Sequence, residues 1–200
     1  MGGWAEMETG QKYNIVYADP PWRYDNKRVQ GGAEKHYGTM STEEICGLPV
    51  ADICAENCTL FLWVTFPQLP EALRVMESWG FRYKTVAFVW LKQNRKSPGW
   101  FYGLGFWTRG NAEICLLGVK GHPRRRSARV HQFIISPLET HSKKPDETRE
   151  KIVELMGDLP RVELFARQRI PGWEAWGNEV ESSVVLEPEG SGREKSGEVD

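Results

Sequence analysis

A chain of 200 residues, 40% of them hydrophobic, can bury one real core without disulfide or metal staples, so one globular domain is expected. The N-terminal MGGWAEMETG has no apolar stretch of the secretory kind, and no run approaches the roughly 18 apolar residues of a membrane span. A soluble, cytoplasmic protein that does not engage membranes is therefore expected. Four cysteines (46, 54, 58 and 115) form no CxxC pairs, so no metal site is assigned and they read as small buried hydrophobes or free thiols.

In chain order, NIVYA (14–18) reads as a short buried strand stopped by two prolines. STEEICGLP begins with a capping box, Ser41 and Glu44, and stops at Gly47 and Pro49, which gives a joining helix. CTLFLWVTF (58–66) is a second strand. PEALRVMESWGF is a helix with Leu73, Val75, Met76 and Trp79 as its apolar positions and Gly80 at its end. KTVAFVWLK and AEICLLGVKG are strands on either side of a basic, aromatic loop. PDETREKIVELMGD (145–158) is a helix with Ile152, Leu155 and Met156 on one face and Gly157 after it, and VELFAR is a late strand. Strands alternating with helices predict an α/β protein with a mostly parallel sheet and ligands at the carboxyl ends of its strands. The polar, acidic stretch 181–200 is expected to be a disordered tail beyond a domain spanning 1–180.

Charge is segregated. Residues 92–129 hold nine lysines and arginines and one acid, Glu113, while 181–200 hold six acids and two bases. The basic stretch is interleaved with Trp90, Trp100, Phe101, Tyr102, Phe106 and Trp107, a mixture suited to phosphates and to base stacking, although a solvated loop accounts equally well for a bare charge run. Lys92 and Arg109 from this stretch are assigned to the substrate side. None of the four histidines is assigned to catalysis.

YADPPW (17–22) carries the chemistry. Pro20 and Pro21 lack an N–H, so the strand tip offers carbonyls and the Asp19 carboxylate but few donors. Such an acceptor rim suits an exocyclic amine, whose two hydrogens go to Asp19 and the Pro20 carbonyl. Accepting both localises a lone pair that conjugation otherwise spreads over the ring, and aims it at an electrophile. Trp22 adds a flat wall for an unstacked base. A plain strand terminator with a buried tryptophan uses the same residue types.

DPPW after an apolar strand matches motif IV of amino-methyltransferases. Together with YGTMS (37–41), FLWVT (61–65), CLLGVKG (115–121), SKKPDE (142–147), VELFAR (162–167) and WGNE (176–179), it resembles the MT-A family of N6-adenine methyltransferases over residues 14–180. The resemblance implies a Rossmann-like, S-adenosylmethionine-dependent methyltransferase sheet in circularly permuted (beta-class) order, with the catalytic turn early and the cofactor strand late. It implies that Asp19, Pro20, Pro21 and Trp22 are catalytic and that Tyr37 and Glu113 stand near the target adenosine. Around S-adenosylmethionine it places Asp19, Lys144, Glu163, Phe165, Arg167, Asn178 and Glu179; either Lys143 or Lys144 can be the one that faces the site. Two departures are Ala166, where the family usually has Gly, and Glu179, where a Gln occurs. No clear match exists for the segment that holds the cofactor's adenine.

The function implied is methyl transfer to N6 of adenine in DNA, with RNA adenosine as the alternative acceptor and a non-catalytic nucleic-acid-binding subunit as a reading from another class. Cytosine N4 is also an exocyclic amine, so the choice of adenine comes from the resemblance. The expected partner is DNA, or RNA, and a domain this small leaves room for a homodimer or a partner subunit.

Overall fold

The apolar run that opens the fold becomes an interior strand of its sheet. The computed structural model describes residues 10–24, 38–105, 107–139 and 143–186. The strands are β1 (Tyr13–Ala18), β2 (Cys54–Val64), β3 (Arg82–Gln93), β4 (Ala112–Lys120), β5 (Phe133–Pro137), β6 (Arg161–Leu164) and β7 (Glu174–Trp176), and the helices are α1 (Thr42–Cys46), α2 (Val50–Ile53), α3 (Leu69–Ser78) and α4 (Glu147–Met156). They form a mixed α/β sheet in the order β5-β3-β4-β2-β1-β6-β7. Four of its pairings are parallel, and β4 alone runs antiparallel to both neighbours, β2 and β3.

The sheet is apolar on both faces because its strands alternate side chains between two cores. Val16, Ala18, Leu60, Leu62 and Leu116 pack with Ile45 of α1 and Val75 and Met76 of α3. Ile15, Tyr17, Phe61, Trp63 and Cys115 face the other way, with Ile152 and Met156 of α4. The capping box of α1 is formed, with the Ser41 side chain accepting from the Glu44 N–H and Glu44 accepting from the Ser41 N–H. Gly157 ends α4 at φ 91°, a conformation that favours glycine.

Three expectations change. In α3 the buried positions are Ala72, Val75 and Met76, with Trp79 just beyond the helix, while Leu73 is exposed because it lies about 100° round from the buried stripe. Strands β5 and β7 were not foreseen; one is a half-exposed edge and the other has three residues. The boundary after residue 180 falls inside packed structure: the Ser183 N–H donates to the Ala175 carbonyl at 2.8 Å, and Val184 and Leu186 are buried against the core. The remaining tail, 187–200, lies outside the described residues. No described helix is long and apolar enough to cross a membrane.

Candidate active site

The chain leaves β1 for β2 on one side and reaches β6 on the other, so the carboxyl end of β1 is the point where strand order reverses and where open α/β sheets hold ligands. Asp19 and the two prolines sit there. The turn is more fully bonded than counting its own donors suggests. The Trp22 N–H donates to the Pro20 carbonyl (2.9 Å), and the Met40 N–H donates to the Pro21 carbonyl (2.8 Å). Pro20 thus keeps one lone pair for a ligand, and Pro21 is occupied from outside the motif. Trp22 is fixed by its Nε1–H, which donates to the Trp63 carbonyl at 3.1 Å.

Asp19 is the first member of a chain of alternating charges. Lys144 Nζ lies 2.9 Å from both of its carboxylate oxygens and 3.2 Å from Glu113, and Glu113 in turn accepts from Lys92. Burial raises the Asp19 carboxyl above the usual aspartate range, and Lys144 offsets this only in part. Burial also raises Glu113, but Lys144 and Lys92 together outweigh it, so Glu113 ends below its ordinary value. Burial lowers Lys144, yet its two carboxylates more than compensate and hold it protonated. Of the two adjacent lysines, Lys144 faces the site; Lys143 bonds to Glu139 and Asp146 instead.

Two cavities meet at Asp19. One, of about 230 Å³, lies between the turn after β6 (Phe165, Ala166, Arg167) and the segment after β7 (Gly177, Asn178, Glu179). The other, of about 170 Å³, is walled by Trp22, Tyr24, Trp63, Glu113 and Lys144. Asp19, Pro21 and Arg167 belong to both walls. Phe165 holds φ 60°, a strained conformation for a bulky residue, and packs edge-on against Trp176 with ring centroids 5.3 Å apart. The left-handed residue of this turn is therefore Phe165, and Ala166 is not asked for the conformation that would favour a glycine there. The close approach is made by Gly177 instead, where a Cβ would stand 2.3 Å from the Ala166 carbonyl oxygen.

Not every assigned residue is among the described residues that line these two cavities. Tyr37 lies outside the described residues. Arg109 is on the exposed loop and donates to the carbonyls of Tyr102 and Gly103, away from both cavity walls. Lys92 supports Glu113 and is in neither of these two cavity walls. Glu163 is turned to the α4 face, because Val162 and Leu164 on either side of it fill the opposite core. There it takes two hydrogen bonds of 2.7 Å from Arg149, both side chains being 11% exposed. Removing Glu163 leaves the buried Arg149 guanidinium with the half-exposed Asp146, 2.8 Å from its Nη1, as its remaining ion-pair partner among the described residues, so Glu163→Leu is expected to lower unfolding free energy in urea by about 2 kcal/mol. Arg149→Met added to it is expected to recover part of the loss. A single-variant change below about 1 kcal/mol contradicts this account of the pair.

Residue-by-residue reading missed Trp63, Tyr24 and Arg149. Trp63 is quoted within a matching segment but has no local mark of a role; its position next to Trp22 comes only from β1–β2 pairing. Tyr24, whose hydroxyl is 2.8 Å from Thr65 Oγ1, stands two residues beyond the motif. The basic stretch is also divided. Strand β4 spans about 30 Å at the usual rise, so Lys92, Arg95, Lys96 and Arg109 lie at the site end and Lys120, Arg124, Arg125, Arg126 and Arg129 at the other. A larger cavity, of about 590 Å³, lies at the amino ends of β6 and β7, where Arg161 is answered by Asp158 and Arg169 by Glu174.

The family model described as MT-A70 matches residues 13–179. The type II methyltransferase M.MunI of a Mycoplasma species is 34% identical over 198 residues, covering 89% of this chain and 82% of that protein. The N(6)-adenosine-methyltransferase MT-A70-like of Arabidopsis thaliana is 30% identical over 84% of this chain, and the human N(6)-adenosine-methyltransferase catalytic subunit METTL3 is 29% identical over 89%. This chain spans only 24% and 30% of those two proteins.

Proposed function

The chain belongs to the MT-A70 family of methyltransferases, and from that premise we propose that it transfers a methyl group from S-adenosylmethionine to N6 of adenine in DNA. The observation that carries this reading is the shared wall: Asp19 borders both cavities, so a donor in one and an amine in the other meet over the same carboxylate. The early catalytic turn on β1 and the late β6 and β7 fit a circularly permuted Rossmann-like order, and residues 13–179 fit one catalytic domain.

The residues present suit S-adenosylmethionine. Phe165 and Trp176 offer aromatic surface, and the glycine at 177 lets two backbone segments close on one another. Asn178 and Glu179 bring acceptors for ribose hydroxyls, and Arg167, 3.6 Å from Glu179, brings a cation for a carboxylate. S-adenosylmethionine supplies an electrophilic methyl group on a sulfonium sulfur. The chain's own part is to present the amine. Asp19 accepts one N–H, the open lone pair of Pro20 accepts the other, and Trp22 and Tyr24 wall the base, with the buried Trp63 beneath them. Lys144 lies within reach of Glu113 when an amine takes its place on Asp19. Asp19 then takes the proton that the alkylated amine gives up, a role its raised pKa favours.

The pH dependence follows. Protonated Asp19 is a donor and cannot receive the amine, so kcat/KM is expected to fall as pH drops, along a limb lying above the ordinary aspartate value of about 3.9. A limb at or below that value contradicts the partly buried position given to Asp19.

DNA is the acceptor to test first, because the relative matched over most of both lengths is named a type II methyltransferase; the relatives named for N(6)-adenosine support the choice of N6 and make RNA the second. Equal-sequence DNA and RNA oligonucleotides competing for a labelled methyl donor are expected to leave most of the label in DNA adenine. Label confined to RNA, or to cytosine, overturns the assignment.

A further inference from the structure

The loop between β3 and β4 holds large apolar side chains fully in water. Trp107 is 99% exposed and Leu104 94%. This is a built loop. The Phe101 N–H donates to the Lys92 carbonyl at 2.9 Å, the Gly103 N–H donates to the Gly110 carbonyl at 2.8 Å, and Trp100 bridges to Gln93. At its tip Gly105 has φ 67°, and a Cβ there would stand 1.8 Å from the Thr108 carbonyl oxygen, so the turn depends on glycine. Trp107 itself holds φ 72°, uncommon for so bulky a residue. A backbone this constrained, with an indole at its tip turned into solvent, points to an absent partner.

The partner's charge can be read from the loop. Residues 92–111 contain four bases (Lys92, Arg95, Lys96 and Arg109) and no acid, which complements a polyanion. The loop springs from Lys92, which holds Glu113 in the wall of the base cavity, so it leaves the sheet at the end that carries the site. An exposed indole among arginines and lysines suits base stacking, and apolar wedges of this kind hold opened steps in a duplex. We infer that residues 94–105 and 107–111 form a finger that engages duplex DNA by inserting Trp107 into the base stack beside the extruded base. The inference rests on the nucleic-acid reading above, but its test needs no methyl transfer.

The test is fluorescence anisotropy of the full chain on a labelled, mixed-sequence DNA duplex across a range of salt. Trp107→Ala is expected to weaken binding about tenfold, with the slope of log affinity against log salt unchanged, since stacking is lost and no phosphate contact is. Trp107→Phe is expected to retain most of the affinity, and Arg95→Gln to make the slope shallower by about one. Affinity unaltered by Trp107→Ala overturns the proposal, as does absence of duplex binding by the parent chain. A variant whose only change is a lower mass in solution overturns it too, because the tip is then a contact between copies. Loss of binding in Trp107→Ala by a chain that methylates nothing upholds the finger and rejects the methyltransferase reading.

Discussion

Asp19→Asn is expected to slow single-turnover methyl transfer about a thousandfold, while nucleic-acid affinity stays within a few-fold of the parent. The substitution keeps the size of the side chain and reverses part of its polarity, since an amide can turn a donor toward an amine that needs an acceptor. It also removes the proton acceptor. Lys144 keeps Glu113, which it shares with Lys92, so each lysine still has a carboxylate and a general collapse of the site is not expected. Asp19→Ala, which leaves space rather than a misdirected donor, is expected to be similarly inactive. Rapid-quench measurement with a labelled donor at saturating enzyme separates chemistry from binding, and a rate loss below about tenfold contradicts the role given to this carboxylate.

Gly177→Ala is expected to weaken S-adenosylmethionine binding by tenfold or more. A Cβ at this position would lie 2.3 Å from the oxygen and 2.8 Å from the nitrogen of Ala166, both backbone atoms that cannot rotate away. The Ala166 N–H donates to the Trp176 carbonyl at 2.9 Å, so the added methyl pushes apart the two segments that this bond joins and that wall the donor cavity. Overpacking of this sort costs on the order of 1–3 kcal/mol, which stability as well as affinity will register. Calorimetric titration with S-adenosylmethionine measures the loss directly. Unchanged affinity in the folded variant removes the donor from this cavity.

The parts of the fold legible from sequence are those with local causes. A capping box set the start of α1, a glycine that adopts positive φ ended α4, and paired prolines closed β1. The parts not legible depend on partners far along the chain. Strand β5 is ordered by parallel pairing with β3, and β7 by pairing with β6, in segments too short to carry a periodic signal. Glu163 sits in a matching motif, yet its carboxylate belongs to Arg149, because the alternation of β6 turns it toward α4. That Pro20 and Pro21 bring no donors is legible in their residue type, whereas the Met40 N–H that occupies the Pro21 carbonyl comes from a segment no local rule could place. The choice of Lys144 over Lys143 likewise came from three dimensions. The run of nine bases is continuous in sequence and divided in space by the length of β4.

A crystal structure of the chain with S-adenosylmethionine and an adenine nucleotide tests the central claim most directly. The account predicts the donor between the turn after β6 and the segment after β7, and the base against Trp22 and Tyr24. The exocyclic nitrogen should be hydrogen-bonded to Asp19 and the Pro20 carbonyl, about 3–3.5 Å from the methyl carbon. A donor seated instead in the larger cavity at the amino ends of β6 and β7, or a base whose amine turns away from Asp19, contradicts it.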